Sequence, residues 1–190
     1  MKKRRLTVLA AALLVGVGTA SYAIAGHNDG PGHVSNTKNF RASLLGYEET
    51  PANSTTGFGQ FEAKLDDKTN TIHYTFSYSS LEGQKVTGGK ILFAHIHFGQ
   101  KGVAGGVSFF LCDNSAVPVA QACPDDGTGS GTVSGDITAA NVIGPNGQGI
   151  EPGSFAEIVR AMQAGIAYAN IHTTRWPAGE IRGQINSNDD

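Results

Sequence analysis

The sequence predicts an all-β protein: an antiparallel, Greek-key-like β-sandwich or barrel with one short helix near residues 155–164. Three observations carry this expectation. Glycine is abundant, 26 of 190 residues, about twice the usual share, and it falls between short apolar runs without a collagen-like period. Several runs alternate apolar and polar residues at period two, the mark of half-buried strands. One stretch, 154–165, instead repeats its apolar residues at helical spacing.

The first 25 residues read as a signal peptide. Met1-Lys2-Lys3-Arg4-Arg5 is a basic start, residues 6–17 are almost wholly apolar, and Ala23-Ile24-Ala25 forms an A-x-A site. Cleavage is expected after Ala25, sending the chain to the periplasm or the medium with no transmembrane anchor left. The leader takes four of the 14 basic residues and none of the 16 acids, so ten bases face 16 acids in the remainder, a formal charge of −6. That balance excludes nucleic acid as a partner and leaves no basic patch for anionic lipid. What remains is long enough for one real core, so a single domain is expected over residues 40–186.

Residues 26–39 are rich in Gly, Asn, Asp and Ser and carry His27 and His33; they read as a flexible linker. Residues 40–46 form the first strand, broken at Glu48-Glu49-Thr50-Pro51. In 57–65, Phe61, Ala63 and Leu65 alternate with Gln60, Glu62 and Lys64. Asp66-Asp67-Lys68-Thr69-Asn70 turns the chain into 71–79, the clearest strand, and the two runs make a hairpin. There Ile72, Tyr74, Phe76 and Tyr78 share one face, and His73 lies on the polar one.

Residues 90–98 are apolar on both faces, as suits a central strand. After a glycine loop, 107–111 forms the next strand and ends at Cys112. Residues 113–131 make a long polar loop, and an exported chain is expected to tie Cys112 to Cys123 in a disulfide across it. Residues 131–137 follow as a strand. Ser154 and Glu157 have the spacing of a capping box, Phe155, Ile158, Val159 and Met162 make the apolar stripe, and Gly165 sits where a helix-ending glycine belongs. Strands 167–173 and 179–186 close the domain around a Trp176-Pro177-Ala178-Gly179 loop, and 187–190 form a polar tail.

Four stretches together resemble the CHRD domain, the module first associated with chordin. They are Leu45-Gly46-Tyr47-Glu48-Glu49-Thr50-Pro51, Ala94-His95-Ile96-His97-Phe98-Gly99, the run from Ala164 to Thr173, and Pro177-Ala178-Gly179-Glu180-Ile181-Arg182-Gly183-Gln184-Ile185. Their order fits a single copy spanning about 40–185, with 113–131 as a departure from the family core. The resemblance implies an extracellular β-rich module and does not imply an enzyme. The expected function is a non-catalytic extracytoplasmic module that binds a protein or an envelope ligand.

Three histidines open a second reading. His95 and His97 stand two apart on one strand and so share a face, and His172 lies on a strand far down the chain. If the three meet, imidazole chemistry points to a mononuclear metal site, copper ahead of zinc, serving a carrier or a dismutase-like enzyme. The run from His95 to Gly99 is similar to the copper-ligand strand of Cu,Zn superoxide dismutase, although no bridging-His and Asp cluster accompanies it. Alternatively, the imidazoles are scaffold groups bonded to backbone carbonyls or to Asn170, Thr173, Glu180 and Gln184. Glu180 and Arg182 share a face and are expected to form a structural polar pair. Paired-carboxylate, nucleophile-elbow and phosphate-loop chemistries have no matching residues.

Overall fold

A computed structural model describes residues 39–188, the side chain of Asn188 excepted. The signal peptide, its cleavage after Ala25, and His27 and His33 lie outside the described residues. The strands are β1 (Asn39–Leu45), β2 (Phe58–Asp66), β3 (Thr71–Ser79), β4 (Ile91–Phe98), β5 (Gly106–Asp113), β6 (Gly131–Ile137), β7 (Ala167–Thr173), β8 (Ile181–Gln184) and β9 (Asn186–Asn188), with the helix α1 (Phe155–Gln163) before β7. They form one antiparallel sheet in the order β5-β4-β7-β8-β1-β2-β3-β6, with β9 pairing β1. The sheet curls into a nearly closed barrel. Across the gap, the Tyr74 hydroxyl of β3 donates to the Leu111 carbonyl of β5 at 2.6 Å, and the amide of Gln121, in the loop after β5, donates to Ser134 O of β6 at 2.9 Å.

Period-two patterning sets which side faces in. β2 buries Gly59, Phe61, Ala63 and Leu65 and exposes the residues between, and β3 buries Ile72, Tyr74, Phe76 and Tyr78. Full pairing of Asp66 with Thr71 through Phe58 with Ser79 confirms the hairpin. His73 is exposed on the outer face, 2.6 Å from Asp136. The disulfide joins Cys112 to Cys123.

The helix lies where its spacing puts it, with Phe155, Ile158, Ala161 and Met162 buried. Its start differs from expectation: Ser154 makes no side-chain cap bond, its N–H donates to Glu151 O at 3.0 Å, and Glu157 pairs with Arg160 at 2.7 Å instead of reaching back to close a capping box. Its end is as read. Gly165 adopts φ 70°, and Ile166 N donates to Ala161 O while Gly165 N donates to Met162 O, the Schellman arrangement.

The closing strand is divided. Ile185 N still bonds Ala167 O on β7, after which the chain pairs with β1, so part of the expected tail is the strand β9.

Candidate metal centre

The two central strands sort their side chains to opposite sides. Ala94 and Ile96 of β4, and Ala167, Ala169 and Ile171 of β7, point into the core. The alternate residues therefore emerge on the outer face. The β4–β7 register sets Phe93 against His172, His95 against Asn170 and His97 against Tyr168. His172 is thus the diagonal neighbour of His95, within reach across the ladder. On the other side of β4 the pairing with β5 slips at Ala94/His95 and again at Ile96/His97. Such bulges re-aim side chains, and here one immediately precedes each histidine of β4.

His95, His97 and His172 consequently converge: one ring nitrogen from each lies within 4.8 Å of the others. Ligands about 2.0–2.1 Å from one tetrahedral metal stand about 3.3–3.5 Å apart, so side-chain adjustments of about 1 Å would close the set. The His95 ring packs 4.4 Å from His97 and 4.8 Å from His172, centre to centre. Phe93 and Phe110 flank His95, and the Tyr168 ring stacks flat on His97 at 4.5 Å.

Two imidazoles are held from behind by loop carbonyls. His97 Nδ1 donates to Gly105 O at 2.8 Å, and His172 Nδ1 donates to Pro177 O at 2.9 Å. A carbonyl only accepts, so both Nδ1 atoms carry the proton and both Nε2 atoms keep a free lone pair. The loop over His97 is tight: a Cβ at Gly105 would meet Phe98 O at 1.8 Å. His97 Nε2, His172 Nε2 and His95 Nδ1 are buried without a hydrogen-bond partner. An unpartnered buried polar atom costs about 1–3 kcal/mol, and three neighbouring imidazoles each carry one.

Electrostatics keeps the cluster neutral. Burial, with the neighbouring imidazoles, holds His95 well below the usual histidine range. Burial pushes His97 down to about 4 and lowers His172. Neutral imidazole is the form that binds a metal.

The remaining polar residues of this face form a rim. Glu180 is fully buried and accepts from Thr55 Oγ1, Glu82 N and Thr173 Oγ1, each at 2.6 Å. Arg182 donates to the carbonyls of Gln100 and Val103, both at 2.9 Å, and its guanidinium lies 3.4 Å over the Tyr168 ring. Glu180 and Arg182 thus have separate partners rather than each other. Glu180 precedes β8 and serves a latch of loop residues, while Arg182 stands over β7. Gln184 donates to Gly99 O and Gly165 O. Of the scaffold partners the sequence offered, backbone carbonyls do hold His97 and His172, while Asn170, Thr173, Glu180 and Gln184 bond elsewhere.

Sequence reasoning missed Glu49. Asn170 Nδ2 donates to Glu49 Oε1 at 2.5 Å, and burial pushes this carboxyl up to about 7. Tyr168 was within reach of the pattern, since Tyr168, Asn170 and His172 alternate on one face of β7.

Residues 40–185 match the family model of the CHRD domain. No curated protein and no solved structure matches the chain.

Proposed function

This chain belongs to the CHRD-domain family, and we propose that it works as an exported, non-catalytic module that holds one transition-metal ion on His95, His97 and His172. The observation that carries the reading is the convergence of three imidazoles, each with a buried ring nitrogen that has no hydrogen-bond partner. The Gly105 and Pro177 carbonyls are the outer-shell contacts that orient ligating histidines and fix their tautomer. A bound ion would supply the partner that these ring nitrogens lack.

The closed setting favours holding over turnover. The three unpartnered nitrogens have no contact with solvent, and aromatic rings flank the imidazoles. A catalytic metal needs an open position for water or substrate. Export is supported by the leader sequence, by the disulfide, which suits an oxidising compartment, and by the extracellular setting of CHRD modules. Among the described residues no helix is long and apolar enough to cross a membrane.

The test is elemental analysis of the protein purified from the extracytoplasmic fraction of metal-replete cells, with its N-terminus sequenced. The expected result is one metal per chain starting at Gly26, and loss of the metal in His97→Ala. Stoichiometry well below one in the parent protein would overturn the metal reading, and a chain retained in the cytoplasm would overturn export.

A further inference from the structure

We infer that the three-histidine centre selects a monovalent ion, Cu(I), over divalent ions. This rests on the reading of His95, His97 and His172 as a metal site and adds to it which charge state the site accepts. The donor set is uncharged. Among the described residues the group comprises three imidazoles and no carboxylate or thiolate. Both cysteines are consumed in their disulfide. Of the acidic side chains around the site, Glu49 hydrogen-bonds Asn170 and Glu180 accepts from Thr55, Glu82 N and Thr173, none of them an imidazole.

A fixed cation also stands nearby. The strand order β4-β7-β8 puts Tyr168 between His97 and Arg182, with the imidazole 4.5 Å from the phenol ring and the guanidinium 3.4 Å from it. Arg182 is almost wholly buried; its guanidinium donates to two neutral carbonyls, and the Glu49 carboxyl is the acidic group that feels its charge.

Charge then decides between ions. The cost of moving an ion from water into a low-dielectric site rises with the square of its charge, so a dication is penalised about four times as heavily as a monocation. Zinc sites and Cu(II) sites offset that cost with anionic ligands or with bound water. Here the imidazoles are neutral, the ligand nitrogens are shut off from solvent, and Phe93, Phe110 and Tyr168 flank them with apolar surface. Imidazole serves either oxidation state of copper, and three nitrogens complete a trigonal cuprous site with no fourth ligand.

The experiment is competitive titration of the metal-free, disulfide-intact protein. Cu(I) is added anaerobically against a chromophoric cuprous chelator, and Zn(II) and Cu(II) are added in parallel against their own chelators. The expected result is one Cu(I) per chain, bound at least about 100-fold more tightly than either dication. The loaded protein should stay free of a Cu(II) paramagnetic resonance signal on exposure to air. Arg182→Gln should narrow the preference by strengthening Zn(II) binding more than Cu(I) binding. Zn(II) or Cu(II) binding as tight as Cu(I) overturns the charge-state inference and leaves the metal centre standing. No binding of any of the three overturns both.

Discussion

Glu49 and the imidazoles respond to pH in opposite senses. Burial raises Glu49 to about 7, above its ordinary value of 4.5, so the folded chain holds that proton more tightly than the unfolded chain. Its contribution to stability is complete below about pH 4.5 and is lost as pH rises through 7. His97 is lowered from 6.5 to about 4, so its contribution is present above about pH 6.5 and is lost as pH falls through 4. His95 and His172 are lowered too and act with His97. Glu49→Gln separates the two effects. In metal-free protein the variant should be more stable than the parent at pH 8 by about 1–2 kcal/mol, after allowing for solvent screening, and the gap should close near pH 4.5. Urea unfolding at both pH values reads this directly; an unchanged pH dependence would show that the Glu49 carboxyl is not held in its neutral form. The histidines were legible because i and i+2 share a strand face. Glu49 was not, since it reaches Asn170 from a coil segment with no periodicity to read. The carbonyls of Gly105 and Pro177 were hidden for a related reason: backbone acceptors leave no trace in side-chain pattern.

At the scale of elements, period-two alternation located β2 and β3 to within a residue of their observed limits, because each has one buried and one solvated face. The break at Ile185 was invisible to such reasoning, since it comes from a change of partner strand and not of local preference. The helix shows the same division. Its stripe and its closing glycine follow from spacing and backbone geometry, but its capping box depends on where Glu157 finds a partner, and Arg160 takes it. Two substitutions distinguish these ends. Gly165→Ala forces a left-handed conformation on a residue with a Cβ and should cost about 1 kcal/mol. Ser154→Ala removes no cap bond and should cost less than about 0.5 kcal/mol, well under the usual loss for an N-cap. Equilibrium denaturation of the two variants checks the ordering; a larger loss at Ser154 would mean that the cap is formed in solution.

Across the whole molecule, the core and the candidate site occupy opposite faces of the same two strands. β4 and β7 lie next to each other in the sheet, and their inward residues fill the barrel while their outward ones make the histidine cluster. Metal binding and fold stability should therefore be linked. An ion that binds only the folded chain stabilises it by about 2.7 kcal/mol at a hundred times its dissociation constant. Chelation should lower the melting temperature of the loaded protein, and His172→Ala should show no metal-dependent shift. The most direct measurement is X-ray absorption fine structure on the metal-loaded protein. The expected result is one metal per chain with three imidazole nitrogens in a single shell at about 2.0–2.1 Å. A shell with fewer than two imidazoles, or one unchanged in His97→Ala, would contradict the shared three-histidine centre.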